Sequence, residues 1–448
     1  MEGKDIIKRL IEKPELLLPE TEPNPLHYEN ITKFYEILEE KKEFGEKIYV
    51  IGHEDLDGIA SLYGIEVLLR ELGIEFKTYL PSRENESYGV SNSVIERFIN
   101  ENFDFLITVD CGLSNRNEIK LLRELGYDSF IIDHHSEGNF EEENLIHPFL
   151  GNGFPFLSNA VLVFVILFLK FGEKLWKEKK FFDFTYLSGL SVLSDKVPPY
   201  SVNGFVLKKS QIVFPETEIY KIFSEVNTKP LEFRGISKII PFVSAKDGTH
   251  LITELLREED ERIKREIMKE IISKYIEEQK NFEESLFNSK NFWQSETNIT
   301  LIKSKNINPR YAGWIASRFL KESGFPSICI TKKGNMWVGE ARSKPPLSVL
   351  KLLRETSYLF EEFGGHPFAC GFSIKEQNIE PLLKNLKTLS KNIINFIPEP
   401  DIFLKEDEFG EFKSILEKIG LLGITVYFKV EEKMYYTSSQ GILSLDFA

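Results

Sequence analysis

Residues 47–73 read KIYVIGHEDLDGIASLYGIEVLLRELG, and this stretch decides the fold of the first half of the chain. Its apolar start, KIYVI, predicts a short buried strand. The segment after the acidic motif keeps apolar residues at three-and-four spacing and stops at Gly73, which predicts a helix. Between strand and helix lie His53, Asp55 and Asp57. Alternate side chains of an extended backbone share a face, so these three potential ligands would face one site.

The same alternation of short strands and helices continues to about residue 155. Further buried strands are predicted at 76–80, 105–109 and 130–132, and a helix over EIKLLRELG stops at Gly126. This order indicates an α/β fold with a doubly wound parallel sheet. Open sheets of this kind bind ligands in the crevice outside the carboxyl ends of their strands. The motif in residues 52–58 would lie at that edge.

Three more acidic or histidine clusters follow in chain order. They are Val-Asp-Cys-Gly at 109–112, Asp-His-His at 133–135 and Ser-Asp-Lys-Val-Pro at 194–198. Carboxylates and imidazoles gathered at one sheet edge are the ligands that two divalent cations need. Asp110 could bridge two such cations with its two oxygens, and a pair of metals about 3.5–4 Å apart forms a clamp for in-line phosphoryl displacement.

The Asp133-His134-His135 cluster needs different roles for its two imidazoles, because adjacent residues of an extended segment diverge. One ring can bind metal while the other reaches the substrate. Asp133 could orient an imidazole as its hydrogen-bond partner. Asp195 would close the metal shell.

Each motif by itself has another interpretation. Asp-x-Asp-Gly is more often a turn or a weak calcium-binding loop, and Asp110 could cap the next helix. His134 and His135 could be surface or satisfied core residues, and Asp195 before Lys-Val-Pro-Pro could begin a turn. Four ordered clusters, most of them at strand ends, favour one shared site over four unrelated caps and turns.

Length and composition limit the class of protein. A chain of 448 residues exceeds one ordinary core, so two domains or slightly more are expected. No stretch reaches about 18 uninterrupted apolar residues, and the apolar run at 159–171 is short. We therefore predict a buried core helix there, no membrane span and a cytoplasmic protein. Three well-separated cysteines indicate neither a disulfide framework nor a structural zinc site.

The net charge of −14 excludes a generally basic nucleic-acid surface. Non-specific affinity for nucleic acid comes mostly from neutralisation of phosphates by Lys and Arg. Any polynucleotide would have to be held in a local groove. Bound cations would mask part of the acidity.

The organisation changes after Asp195. Residues 250–288 contain no Gly or Pro and carry charges of alternating sign, which predicts one long solvated helix. Strand-like segments and helices near 311–322 and 346–361 then predict a second domain that begins near Thr297. The predicted parts are a helical, peripheral segment (1–45), a first α/β domain (46–249), a connecting helix (250–290), a smaller second α/β domain (291–397) and a C-terminal extension (398–448).

Taken together, the four clusters resemble the four motifs of the DHH phosphoesterase superfamily. Gly-Gly-His-Pro-Phe-Ala-Cys-Gly at 364–371 is similar to the glycine-rich signature of the DHH-associated second domain, and Gly-Glu-Ala-Arg-Ser at 339–343 accompanies it. The chain length and the long connecting helix resemble RecJ-like single-strand exonucleases, especially shorter archaeal members that associate with replication-fork proteins. Two departures are Ser-Asn-Ala-Val-Leu at 158–162, in place of a GAGVA-like run, and His147-Pro148, in place of Asn-Pro.

The resemblance implies a role for each matching residue. Two Mn²⁺ or Mg²⁺ ions would be held by His53, Asp55, Asp57, Asp110, His134 and Asp195. His135 would contact the scissile phosphate, and Asp133 would orient the histidine pair. Substrate phosphate or the strand end would be held by Arg342, Ser343, Gly364, Gly365 and His366. A guanidinium makes two charge-assisted bonds to phosphate, and adjacent glycines let backbone N–H groups approach an anion.

The second-domain motifs also have simpler interpretations. Gly-Gly-His-Pro could be only a turn, and Arg342 could pair with a surface carboxylate. For Arg310 and Arg318, contact with substrate phosphate and exposure on a solvated surface are equally compatible with the sequence. Trp314 could stack on a base, although packing is its more common duty.

Three functions are compatible with these residues. The first is a metal-dependent exonuclease on single-stranded DNA or RNA, acting in replication or repair. The second is a phosphodiesterase for nano-RNA or cyclic dinucleotides. The third is a replication-fork scaffold, which intact ligands oppose because crowded carboxylates repel one another without a metal.

Overall fold

The computed structural model describes residues 9–10, 12–82, 86, 89–135, 140–289, 293–294, 298–391, 402–404, 409–410, 413, 416–417, 420, 427–431, 433–438 and 441–444. The chain divides into two compact units. The first comprises Met1–Ile276 and Leu421–Ile424, and the second comprises Glu277–Gly420 and Thr425–Ala448.

The first unit contains a five-stranded parallel sheet. Its strands are β1 Ile48–Ile51, β2 Phe76–Tyr79, β3 Phe105–Val109, β4 Asp128–Ile132 and β5 Leu145–Ile146. Their order is β2-β1-β3-β4-β5, and every neighbouring pair is parallel. The order reverses direction between β1 and β3, which makes the carboxyl ends of these two strands the expected ligand crevice. The predicted doubly wound α/β sheet is confirmed.

Helices cover the sheet of the first unit. Among the described residues they are α1 Ile31–Glu43, α2 Leu56–Leu72, α3 Asn92–Asn100, α4 Arg116–Glu124, α5 Asn159–Phe171, α6 Lys174–Lys177, α7 Phe182–Ser194, α8 Ser201–Val213, α9 Glu218–Val226, α10 Gly235–Ile239 and α11 Leu251–Arg257. Short 3₁₀ helices lie at Pro14–Leu17, Pro25–His27, Lys179–Phe181, Phe214–Glu216 and Ile240–Phe242. Gly73 ends α2 in the left-handed conformation, as predicted.

The apolar helix α5 is part of the core. Its residues from Asn159 to Leu167 are buried. Within the part of the chain that the structure describes, no helix is both long enough and apolar enough to cross a membrane.

The described part of the N-terminal segment packs within the first unit. Prolines divide the segment into short helices, and each piece packs separately against the first unit. Phe34 of α1 is fully buried and contacts the ring of Phe130 in β4, with 4.8 Å between centroids. The guanidinium of Arg9 donates a 2.7 Å hydrogen bond to the carbonyl of Phe149.

The single helix predicted over 250–288 is two helices, α11 and α12 Glu261–Ser289. The break falls at Glu258–Asp260. The carboxylate of Glu258 accepts the backbone N–H groups of the two residues that follow it, and Asp260 accepts the N–H of Arg262 at 2.8 Å. Acidic side chains thus replace helical backbone bonds and begin a new helix, which the absence of Gly and Pro conceals.

The second unit is a smaller α/β body around a six-stranded mixed sheet. Its elements are β6 Trp293–Gln294, β7 Thr300–Lys303, α13 Ala312–Ser323, β8 Ser327–Lys333, β9 Met336–Arg342, α14 Val349–Arg354, β10 Phe360–His366, β11 Ala369–Ile374 and α15 Glu376–Leu389, with 3₁₀ turns at Pro309–Tyr311 and Ser357–Leu359. The order is β10-β11-β9-β8-β7-β6, and only β7 and β8 run parallel among these pairs.

The helix predicted over 346–361 is shorter than expected, because α14 ends at Arg354. Phe360 instead begins β10 and stacks on Phe372 of β11, with 4.4 Å between ring centroids. Packing within the sheet therefore overrides the helical spacing of this segment.

Within the C-terminal extension, a four-stranded sheet is described. Its strands are β12 Ile402–Leu404, β13 Tyr427–Val430, β14 Lys433–Ser438 and β15 Gly441–Ser444, in that order. The Tyr427 hydroxyl donates to the carbonyl of Pro346, so this sheet is attached to the second unit. The predicted domain start at Thr297 lies outside the described residues.

Candidate metal centre

The turn from β1 into α2 positions the first three ligand candidates. His53 follows the strand directly. Asp55 is the N-cap of α2, and its Oδ1 accepts the N–H of Gly58 at 2.9 Å. A Cβ on Gly58 would lie 2.3 Å from the carbonyl oxygen of His53, so only glycine fits this close turn. Asp57 lies in the first turn of α2 and is fully buried.

Two groups of ligand atoms meet at the carboxyl ends of β1 and β3. In the first, His53 Nδ1 lies 3.0 Å from Asp55 Oδ2 and 3.5 Å from Asp110 Oδ2. In the second, His134 Nε2 lies 3.3 Å from Asp110 Oδ1, and the other atoms within 3.7 Å of it belong to Asp57 and Asp195. All six ligand candidates therefore belong to one or other of these two groups. A third set of ligand atoms, from Asp110, His134 and His135, also lies within 4.8 Å of one another.

Asp110 connects the two groups because its oxygens point to different histidines. The backbone of Asp110 has a positive φ of 57°, a conformation that is uncommon for residues other than glycine. Such strain persists where the surrounding structure enforces it. Here the Asp110 N–H donates to the carbonyl of Ile132 on the neighbouring strand, at 3.0 Å.

Asp133 holds the histidine pair rather than joining the ligands. Its Oδ1 accepts the backbone N–H groups of His134 and His135 and lies 2.7 Å from His135 Nδ1. Its Oδ2 accepts the N–H of Leu113, at 3.1 Å. Although burial opposes its ionisation, the His135 ring beside it holds the pKa of Asp133 below its ordinary value. These are the contacts that an orienting role would need, and that role stays a prediction.

The remaining carboxylates are crowded. Burial, followed by repulsion from Asp110, raises the pKa of Asp57 to about 6. Burial and repulsion from Asp57 raise the pKa of Asp195 well above its usual range. Burial disfavours a charge on His134, yet the surrounding carboxylates, Asp110 first, raise its pKa well above the ordinary value. Without a cation, these three groups therefore keep their protons to a higher pH than isolated groups would, and a cation would have to compete with those protons.

The donor set fits divalent cations. Carboxylate oxygens with imidazole nitrogens suit Mn²⁺ or Mg²⁺ better than soft metals that prefer thiolates. The tautomer of His134 fits as well. Its Nδ1 lies 2.9 Å from the carbonyl of Leu157, so Nδ1 carries a proton, and Nε2 can offer its lone pair to a cation once its own proton is displaced.

Sequence reasoning missed three supporting residues. The side-chain amide of Asn159 lies between the Asp110 N–H, at 2.9 Å, and the Ile132 carbonyl, at 3.2 Å. Glu54 accepts the backbone N–H of Ala245. His147 is fully buried and contacts the carbonyl of His135. The sequence marked Asn159 and His147 only as departures from the family pattern, and it indicated no specific partner for any of the three residues.

Asn159 and its neighbour also fix Asp57. The backbone N–H groups of Asn159 and Ala160 donate to the two Asp57 oxygens, at 2.7 and 2.8 Å. These are orphan donors at the start of α5, so the carboxylate doubles as a partner for the helix N-terminus.

We expect His147 to make the fold sensitive to acid. The Phe149 N–H donates to His147 Nδ1, so protonation of Nδ1 would break that bond. Burial lowers the pKa of His147 to about 4. Because the folded pKa lies below the unfolded value of about 6.5, its contribution to stability is present above pH 6.5 and is lost as pH falls toward 4. Between pH 7.5 and pH 4 the wild type should lose about 3 kcal/mol more unfolding free energy than His147→Asn.

The measurement is urea unfolding of both proteins in EDTA across this pH range. Equal losses for the two proteins would contradict the expectation.

In the second unit, several predicted substrate contacts already have protein partners. Arg342 donates to the carboxylate of Glu340, at 2.9 Å, and to the carbonyl of Ala341. The hydroxyl of buried Ser343 donates to the Leu347 carbonyl and accepts the Val349 N–H, so it holds the turn before α14.

Arg310 lies in the 3₁₀ turn before α13, and Arg318 lies in the middle of α13. Arg318 forms an ion pair with Glu322 on the same helix, at 2.8 Å. Trp314 packs near the ring of Tyr311, with 5.9 Å between centroids, as the packing interpretation expects.

The glycine pair lies in β10. Gly365 has a φ of 132°, and a Cβ there would lie 2.6 Å from the Ala369 carbonyl oxygen. Gly364 has open space at the same position, so packing of the protein does not require glycine there. That space allows close approach of a ligand to the backbone. The backbone of His366 pairs with Ala369, and the side chain of His366 is outside the described part.

The fold and the ligand groups define a protein of the DHH type. Residues 47–187 match the model for the DHH family, N-terminal domain, and residues 296–392 match the DHHA1 domain. The chain therefore belongs to the DHH family.

Within that family the chain is RecJ-like. It is 26% identical over 383 residues to the single-stranded-DNA-specific exonuclease RecJ of Bacillus subtilis (strain 168), covering 80% of this chain and 48% of that protein. It is 24% identical to RecJ of Thermus thermophilus, covering 76% and 51%. The chain thus spans about half the length of these curated relatives.

Solved structures agree with the fold. An exonuclease RecJ bound to manganese aligns with a TM-score of 0.68 at 22% identity, covering 82% of this chain and 96% of that chain. RecJ of Thermus thermophilus in complex with Mn²⁺ aligns with a TM-score of 0.65 at 18% identity, covering 95% and 68%.

Proposed function

We propose that this protein is a metal-dependent exonuclease that hydrolyses phosphodiester bonds of single-stranded DNA or RNA. The observation that carries the proposal is Asp110, whose two oxygens face two separate groups of ligands. A carboxylate in this position is what a pair of cations requires. The similarity to RecJ supplies the class of substrate.

In this proposal one ion would be held by His53, Asp55 and Asp110, and the other by Asp57, Asp110, His134 and Asp195. When bound, two Mn²⁺ or Mg²⁺ ions would lower the pKa of a water and stabilise the charge that develops on the phosphate. Asp110, with its left-handed backbone, would contribute one oxygen to each ligand group.

His135 is proposed as the residue that contacts the scissile phosphate. Its Nδ1 lies 2.7 Å from Asp133 Oδ1, and the contact with phosphate is assigned to Nε2. With Nδ1 carrying a proton, a second proton on Nε2 gives an imidazolium that can donate to a phosphate oxygen. Asp133 favours that form, because it contributes to a raised pKa of His135 against the opposing effect of burial.

Substrate binding in the second unit is assigned to Arg342, the Gly364-Gly365 backbone and His366. Arg342 would exchange its exposed partner Glu340 for a phosphate, which accepts both arms of a guanidinium. Ser343 supports this loop. Arg310 and Arg318 stay candidates for weaker phosphate contacts. Binding of a replication-fork protein also stays a proposal.

The test is digestion of end-labelled single-stranded DNA and RNA, with Mn²⁺, Mg²⁺ or EDTA. We expect mononucleotide release that requires a divalent cation and falls at least about 100-fold in EDTA, because crowded carboxylates cannot activate water alone. Turnover of a dinucleotide and a cyclic dinucleotide, measured in parallel, separates this activity from that of a small-substrate phosphodiesterase.

Faster turnover of the dinucleotides than of a 20-nucleotide strand would replace the proposal with the small-substrate alternative. Absence of hydrolysis with every substrate and cation would favour the scaffold.

A further inference from the structure

His147 is buried against two aromatic rings directly after β5. Its ring centroid lies 4.9 Å from that of Phe140 and 4.7 Å from that of Phe149. Both nitrogens are engaged. Nδ1 accepts the Phe149 N–H at 3.0 Å, which leaves the proton on Nε2, and Nε2 donates to the carbonyl of His135 at 2.9 Å. The imidazole thus bridges two backbone segments in one fixed tautomer.

The loop that carries His147 also supports the other histidine. The Leu157 carbonyl lies 2.9 Å from His134 Nδ1. Residues 147–157 therefore hold the backbone of one histidine and the ring of its neighbour. Asp133 fixes the His135 ring from the other side. Hydrogen bonds to its ring, its backbone N–H and its carbonyl restrain His135.

The N-terminal segment braces this loop. Arg9 donates to the carbonyls of Pro148, Phe149 and Gly153, at 3.3, 2.7 and 3.3 Å. The Asn30 amide donates to the Leu145 carbonyl, at 2.8 Å. These residues lie outside the segment that matches the DHH domain, which begins at residue 47.

We propose that His147 is a positioning residue for His135, braced through its loop by Arg9 of the N-terminal segment. The proposal rests on the proposed hydrolase function. A buried donor to a main-chain carbonyl restrains the backbone from which the His135 ring projects. Its loss would leave the carbonyl without that donor and would let the ring leave its aligned position. The cost would fall on turnover rather than on substrate binding.

The decisive comparison is His147→Asn with His147→Asp. The two side chains have the same shape and both can accept the Phe149 N–H, but toward the His135 carbonyl Asn can present N–H groups whereas Asp presents only oxygens. We expect His147→Asp to lower kcat about 10- to 100-fold with KM for a 20-nucleotide strand changed by less than about threefold. His147→Asn should recover most of the lost kcat.

His250 provides a matched control in the same unit. It is also fully buried, with Nδ1 accepting the Ile252 N–H at 3.1 Å and Nε2 2.9 Å from the Val243 carbonyl. His250→Asp repeats the chemical change in a loop that does not carry the histidine pair. We expect its kcat to stay within about threefold of wild type at a temperature well below unfolding. Arg9→Lys should lower kcat in the same direction as His147→Asp, by a smaller factor.

A second readout does not need activity. In metal-free protein labelled with ¹⁵N-histidine, the seven histidines are few enough to assign. We expect the imidazole signals of His135 to shift or broaden in His147→Asp and to resemble wild type in His147→Asn and His250→Asp. Unchanged His135 signals in His147→Asp, or equal kcat in the Asn and Asp variants, would overturn the positioning role. A wild-type protein that hydrolyses nothing would refute the hydrolase, and the imidazole spectra would then decide the proposal alone.

Discussion

Replacement of Asp110 by Asn is expected to lower kcat by at least about 1,000-fold, because it removes the charge shared by the two ligand groups. An amide oxygen can serve one cation, whereas the carboxylate presents Oδ2 to His53 and Oδ1 to His134. Asn is the appropriate substitution since it tolerates the left-handed backbone that Asp110 adopts. The measurements are mononucleotide release and the number of Mn²⁺ ions bound, which should fall from two to one or fewer.

Asp183 offers the control for this variant. It is also buried, and its two oxygens accept the N–H groups of Glu218 and Ile219 at the start of α9. Asp183→Asn should destabilise the first unit, because an amide nitrogen would face a backbone donor, yet the folded protein should keep its kcat. An Asp110→Asn protein as active as wild type would remove the basis of the metal centre.

Saturating Mn²⁺ is expected to stabilise the protein strongly, and more so as pH rises. Two sites at 100 times their Kd contribute about 5 kcal/mol in total. At about 2–4 °C per kcal/mol this corresponds to a rise in Tm of at least about 10 °C. The pKa values of Asp57, Asp195 and His134 are all raised, so at low pH protons occupy the groups that would bind the cations. Mn²⁺ should therefore raise Tm much less at pH 5 than at pH 8.

Thermal unfolding with Mn²⁺ and with EDTA at the two pH values provides the measurement. Asp110→Asn should lose most of the rise, whereas Asp183→Asn should keep it. A rise of the same size at both pH values, or in both variants, would mean that Mn²⁺ acts elsewhere.

Much of the architecture could be predicted locally. Strand and helix periodicity set β1 through β4, the end of α2 at Gly73 and the core helix α5, because each depends on apolar spacing within one segment. Prediction failed where distant groups decide. The break between α11 and α12 depends on carboxylates that accept backbone N–H groups. The early end of α14 depends on the packing of Phe360 in the sheet.

The candidate site divides in the same way. The sequence by itself determined which side chains are ligand candidates, since chemistry and strand-end position are properties of short motifs. Only the tertiary structure decided which histidine each Asp110 oxygen faces, that Asn159 and the start of α5 hold Asp57, and that His147 holds the His135 carbonyl. These contacts join residues from 12 to more than 100 positions apart. Their partners are set by the order of the strands in the sheet, which no local pattern encodes.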